Sequence, residues 1–168
     1  MAKITLKALS LRPPWADAVA SGEKTAEIRS WTTDYRGDIL ICASQRDPNL
    51  SALENRLFVC GHAIAIATLF AIEPFTEKHR KAAAYEDDWE IEPKKYAWLF
   101  KDVVAIEPIP VKGKLHLFEV ELDEEQIRQV SINDFDKYAF AHGLCITDEE
   151  FEKLSKGSAR RGRTSEQL

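Results

Sequence analysis

The densest chemistry in the chain lies in ten positions, Gly22-Glu23-Lys24-Thr25-Ala26-Glu27-Ile28-Arg29-Ser30-Trp31. An ammonium, a hydroxyl, a carboxylate and a guanidinium follow one another there, and an indole closes the run. From Thr25 to Trp31 polar and apolar residues nearly alternate, which predicts a half-buried strand. With Ala26 and Ile28 turned inward, Thr25, Glu27 and Arg29 share the other face at a spacing of two. Glu27 and Arg29 then have two possible uses. As a surface ion pair they contribute only about 0 to 1 kcal/mol. As a ligand grip, Glu27 accepts from an amine or a ring N–H, while Arg29 and Lys24 meet carbonyl or phosphate oxygens. Gly22 favours the second use, because backbone can approach a ligand closely there. Trp15, Trp31 and Tyr35 add flat faces for stacking.

Lys24 stands at the strand entry beside an apolar helix end. Lost hydration lowers a lysine pKa and suits it to act as base or nucleophile. Lys24 and Glu27 are therefore the candidate catalytic residues. The carboxylate opposes that role, since it holds the ammonium charged. Ser10 has no Ser-His-Asp context and is read as positioning a ligand. Arg12 joins Arg29 as a forked donor, and Arg36 is read as a solvated surface residue. Lys112 and Lys114 flank Gly113 in a turn and reach for a backbone phosphate. The expected binding set is thus Ser10, Arg12, Trp15, Lys24, Thr25, Glu27, Arg29, Trp31, Tyr35, Lys112 and Lys114. His62, His79, His116 and His142 are scattered, with no metal-ligand spacing. The Gly-rich phosphate loop of ATP hydrolysis is missing. No metal and no cofactor are expected.

These side chains need elements to hold them. Lys3 to Leu11 reads as a strand stopped by Pro13 and Pro14, and Trp15 to Ser21 as a short helix. Gly22 suits the left-handed end of that helix. Strands are expected at 25–31 and 38–44, a turn at Asp47-Pro48-Asn49 and a helix at 50–57. The apolar run 58–74 is rich in β-branched residues and reads as a strand, with Gly61 marking a bulge or close approach. The charged stretch 76–93 reads as a helix and exposed loop. Strands close the pattern at 96–108 and 111–122, with Trp98 read as core, and a helical turn follows at 123–130. Ser131 with Asp134, and Thr147 with Glu150, look like helix caps; Gly143 and Gly157 are expected to end those helices. The tail from Ser158 is expected to be disordered.

At 168 residues the chain reads as one domain able to bury about two thirds of its unfolded surface. No apolar run reaches the roughly 18 residues of a membrane span. The N-terminus lacks the apolar core of a signal peptide, so a cytoplasmic location without membrane partners is expected. Cys42, Cys60 and Cys145 form no Cys-x-x-Cys, which fits reduced thiols. The net charge of −5 excludes a generally basic nucleic-acid binder. Residues 155–168 carry Lys156, Arg160, Arg161 and Arg163 against Glu166, so the remainder is more acidic still. Any polyanion must meet a local cationic patch. A nucleoside, a nucleotide or a few unpaired bases fit such a patch best.

Three stretches in order resemble the ASCH domain, the activating signal cointegrator 1 homology domain: Leu9-Ser10-Leu11-Arg12-Pro13-Pro14-Trp15, then Gly22 to Trp31, then Tyr35-Arg36-Gly37. Gly22 to Arg29 matches the family's Gly-x-Lys-Thr-x-Glu-x-Arg core. Tyr96 to Phe100 and Pro108 to Lys114 resemble its closing strands. The resemblance covers most of residues 4–122. It implies an α+β, PUA-like mixed β-barrel of about six strands with helices at its ends, over 1–122. A helical C-terminal extension over 123–157 would pack on it, followed by the disordered tail 158–168. It also implies a cleft that binds RNA, single-stranded nucleic acid or a modified nucleoside. Alternatives within the resemblance are a hydrolase, either an amidohydrolase on N-acylated cytidine or a ribonuclease, and a protein–protein adaptor in transcription coactivation. The family's amidohydrolases use the motif lysine, a threonine three residues on and a distant glutamate. Lys24 matches the first, Glu27 stands in the threonine's place, and Glu73, Glu77 and Glu86 are candidates for the third.

Overall fold

The computed structural model describes residues 2–166, with side chains up to Gly157. The expectation of a disordered tail over 158–168 lies outside the residues described to that level. Seven strands form one mixed sheet: β1 (Lys3–Leu11), β2 (Ala26–Arg29), β3 (Gly37–Ala43), β4 (His62–Pro74), β5 (Tyr96–Pro110), β6 (Phe118–Asp123) and β7 (Gln129–Val130). The helices are α1 (Trp15–Ser21), α2 (Ala52–Asn55), α3 (Ile132–Ala141) and α4 (Asp148–Glu166). The hydrogen-bonded order is β2-β5-β4-β3-β1-β6, and β7 pairs with β5. A single 3₁₀ turn, Glu124–Gln126, joins β6 to β7. The chain therefore carries the β6 edge back to β5 and brings the sheet round on itself. This is the α+β barrel architecture expected from the sequence.

Two of the pairings place the site. β1 and β3 run parallel, with Ser10 opposite Cys42 and Leu11 opposite Ala43. A parallel pair needs a crossover, and α1 with β2 supplies it. β2 then pairs antiparallel with β5, Glu27 opposite Trp98. α1 buries Ala16, Val19 and Ala20 in a core with Leu9, Leu11, Ile41, Ile64 and Trp98. Gly22 ends α1 in the left-handed conformation, φ 84°, with its N–H donating to the Val19 carbonyl. Cys42 lies in a second core with Ala8, Ile106 and Phe118; burial pushes its thiol up to about 12.

Several expected boundaries change for physical reasons. The strand expected over 25–31 shortens to β2, because Thr25 spends its N–H on Ala82 and its carbonyl on Phe100 N–H as the chain enters. The stretch 76–93 contains only a 3₁₀ turn, Glu77–His79, and is not wholly exposed. Phe75 and Ala83 beside and within it join Ala26 and Ala97 in a third small core. His79 Nδ1 accepts from Thr76 N–H at 2.9 Å and its other nitrogen meets Glu73. The strand expected at 111–122 begins only at Phe118; residues 111–117 are a largely exposed loop. Gly157 lies within α4, since a glycine in an exposed helix costs only about 1 kcal/mol. Ser131 and Thr147 cap as expected, accepting from Asp134 N–H and Glu150 N–H.

The loop before α2 is stapled by one side chain. Asn55 is buried; its Oδ1 accepts from Asp47 N–H at 2.8 Å. Its Nδ2 donates to the carbonyls of Asp47 and Ser51, each at 3.0 Å. Asn55→Ala leaves the buried Asp47 N–H without a partner, while the Asp47 and Ser51 carbonyls keep one backbone donor each, and it is expected to cost about 2 kcal/mol. In a domain of this size that lowers the thermal midpoint by about 6 °C. A midpoint unchanged within about 1 °C, well under the shift of even 1 kcal/mol, would remove the staple from the account.

Candidate nucleic-acid interface

A cleft of about 800 Å³ opens where β1, β2 and β3 end, with the 111–117 loop on its rim. Its size suits a nucleotide-sized ligand. Of the expected binding residues, Ser10, Arg12, Trp15, Glu27, Arg29, Trp31 and Lys114 line it. Lys24, Thr25, Tyr35 and Lys112 do not. Thr25 is exposed. The Tyr35 hydroxyl donates to the Asp38 carbonyl at 2.7 Å, so that ring braces the entry to β3. Ser44, Gln45, Arg46, Lys95 and His116 also line the cleft and were missed in the sequence. Arg46 carried a readable signal: Ser44-Gln45-Arg46 repeats the Ser-x-Arg pattern of Ser10-Leu11-Arg12.

β2 alternates as expected. Ala26 and Ile28 pack into the third core, and Glu27 and Arg29 face the cleft. Arg29 donates from Nη2 to the Ser10 carbonyl at 2.8 Å and approaches Glu27 Oε2 at 3.6 Å. It therefore ties β2 to β1 across the base of the cleft. Glu27 Oε1 accepts the Ile28 N–H at 3.0 Å and lies 3.8 Å from Lys24 Nζ.

Lys24 sits behind Glu27, only 3% exposed. Its Nζ donates to the Ala83 carbonyl at 2.7 Å and lies 5.1 Å from the centre of the Trp15 ring. Burial lowers its pKa below the ordinary lysine value; the Glu27 carboxylate partly offsets this, and Arg29 adds to it. The ammonium thus packs against both the Glu27 carboxylate and the Trp15 ring. Trp31 is fixed edge-on to Trp98 at 4.7 Å and to His116 at 4.9 Å. Trp98 Nε1–H donates to the Trp31 carbonyl at 3.1 Å. His116 adopts a left-handed backbone, φ 60°, which turns its ring toward Trp31.

The cleft is strongly cationic for a chain of net charge −5. Arg12, Arg29, Arg46, Lys95 and Lys114 line it against the single carboxylate of Glu27. A second cavity, about 440 Å³, lies between α1 and α3 and holds none of this grouping except Trp15. There burial, helped by the Asp136 carboxylate, pushes Asp17 up to about 7. Among the described residues no helix is long and apolar enough to cross a membrane.

The family model of the ASCH domain matches residues 9–112. That span is more than half of the chain and contains the last three residues of β1 and all of β2 to β5, so the protein belongs to the ASCH domain family. Among solved structures it is similar to ASCH from Zymomonas mobilis, at 23% identity and a TM-score of 0.51, over 71% of this chain and 89% of that one. A point mutant of the same Zymomonas mobilis protein gives the same values. At that identity the likeness speaks for a shared fold alone. Among curated proteins no match is found.

Proposed function

We propose that the cleft binds single-stranded nucleic acid or a nucleotide. The observation that carries this reading is the charge of the cleft: five cations and one carboxylate in a chain that is acidic overall. The one carboxylate is held by Arg29 and Lys24, so it does not repel a phosphate as a free one would. Trp15, Trp31 and His116 supply ring faces or edges, and a stacked base gains about 1 to 3 kcal/mol. A cleft of about 800 Å³ is sized for a nucleotide or a few unpaired bases.

Fluorescence anisotropy with a labelled single-stranded tetranucleotide tests the reading. Affinity is expected to fall as salt rises, with a slope of about −2 for three phosphate contacts on a single strand. Arg12→Ala should flatten that slope by about one phosphate's share, roughly 0.7. Lys112→Ala, outside the cleft, should leave it alone. Binding that is indifferent to salt, or equal for duplex and single strand, would defeat the proposal.

The amidohydrolase reading ranks second, and the place of Lys24 is the reason. Its ammonium donates to the Ala83 carbonyl, and Lys24 is not among the residues that line the cleft. Glu27 remains the group that would take a proton at this site. A hydrolysis assay on N-acylated cytidine with the parent, Lys24→Ala and Glu27→Thr proteins decides between the two. Turnover by the parent that vanishes in Lys24→Ala would reverse the ranking.

A further inference from the structure

β1 and β3 lie side by side in parallel, and both chains leave the sheet in the same way. β1 runs through Ser10-Leu11-Arg12, and β3 into Ser44-Gln45-Arg46. Ser10 is opposite Cys42, and Ser44 lies two residues past Cys42, so the two serines share a face. The Ser44 N–H donates to the Leu11 carbonyl at 2.9 Å and holds the two ends together. All four residues, Ser10, Arg12, Ser44 and Arg46, line the cleft.

The hydroxyl oxygens of Ser10 and Ser44 are both buried without a hydrogen-bond partner. An unpaired buried polar group costs about 1 to 3 kcal/mol. Ser44 lies one diagonal step from Ser10 on the same face, and two such groups in one cleft wall call for a common partner. Arg12 and Arg46 are exposed, and among the described residues neither guanidinium makes a side-chain hydrogen bond or an ion pair. Gly113 lies over Ser10 so closely that a Cβ there would be 2.6 Å from the Ser10 hydroxyl. The glycine lets the 111–117 loop roof this end of the cleft, with Lys114 beside it.

We propose that the paired Ser-x-Arg ends form a subsite for a phosphate monoester, so that the cleft takes a mononucleotide or a strand with a terminal phosphate. This rests on the nucleic-acid reading of the cleft. Two guanidinium forks and two hydroxyls offer more donors than a diester can use. A monoester carries a charge of roughly −1.5 to −2 and three free oxygens, which matches the donor set. A turn about Cα–Cβ carries each hydroxyl to another staggered position and brings it from the wall to a phosphate oxygen. Glu27 lies on the β2 side of the cleft and is occupied by Arg29 and Lys24, so it does not oppose the anion. Trp31 and His116 are left for the base.

The test compares one tetranucleotide in three forms: 5′-phosphorylated, 3′-phosphorylated and hydroxyl-ended. A nucleoside monophosphate serves as competitor. One phosphorylated form is expected to bind about tenfold tighter than the hydroxyl-ended strand, or about 1.4 kcal/mol. That ratio should fall to about one in Ser44→Ala and in Arg46→Ala, each checked for an unfolding midpoint no lower than the parent's. Displacement by the mononucleotide at similar concentration assigns the subsite to the free nucleotide; failure to displace assigns it to a strand end. Equal affinity for all three forms, with salt-dependent binding intact, overturns the subsite and spares the cleft. A preference that survives both substitutions also overturns it. No binding of any form overturns both.

Discussion

Lys24→Ala is expected to lose about 3 kcal/mol of stability. Removing one partner of a buried ion pair costs about 3 to 5 kcal/mol when the other is left uncompensated. Here Glu27 keeps Arg29 and the Ile28 N–H, which places the cost at the lower end. The Ala83 carbonyl also loses its donor. Lys24→Met refills the volume and isolates the charge effect. The pH dependence has a definite sign. Burial lowers the Lys24 pKa in the folded chain, while the unfolded chain keeps the ordinary value of 10.5. Between the two, the unfolded state binds the extra proton, so stability from this residue rises with pH. It is absent below the lowered folded value and fully present above 10.5. Urea unfolding of the parent and Lys24→Met at pH 7 and pH 10 should show the parent gaining relative to the variant. A parent that loses ground as pH rises would mean that the Glu27 pairing outweighs burial.

Trp98→Ala is expected to cost about 4 kcal/mol, in the range of large aromatic truncations. Trp98 is fully buried, touches Trp31 edge-on and donates to its carbonyl. The loss therefore reaches the cleft as well as the core. Trp98→Phe retains most of the volume and removes the N–H donor. It should cost about 1 to 2 kcal/mol and weaken tetranucleotide binding through the freed Trp31. If Trp98→Phe binds as tightly as the parent, Trp31 is not part of the ligand surface.

The two cases also show what a sequence can reveal. β1, α1 and the Gly22 stop were legible because each depends on neighbours within a few residues. The alternation of Ala26, Glu27, Ile28 and Arg29 was legible for the same reason, and it placed Glu27 and Arg29 on the cleft side. The direction of Lys24 was not. It is set by the Ala83 carbonyl, 59 residues further on, in a stretch whose charge suggested a solvated helix. Lys95, Arg46 and His116 reach the cleft through strand pairing and a loop, and such positions follow from the fold rather than from local pattern. Tyr35 erred the other way: its ring sits close to the motif in sequence, yet its hydroxyl is committed to Asp38.

The pairing of β1 with β6 sets the order in which the molecule can assemble. Lys3 stands opposite Asp123 and Ala8 opposite Phe118, so the first strand finds its second neighbour only after more than 100 intervening residues. During synthesis β1 waits with one edge open until that partner has emerged. β3 reaches its other edge much earlier. Closing so long a loop is entropically slow, and chains dominated by distant pairings fold in about milliseconds to seconds rather than microseconds. The polar residues along β1, Lys3, Thr5 and Lys7, alternate with its apolar ones. They keep the waiting edge from pairing with another chain, because charges on an open edge discourage strand addition. In the finished fold Lys3 and Lys7 are bound to Asp123 and Glu119 at 2.8 Å each, so the same side chains that guard the nascent strand also fix its register.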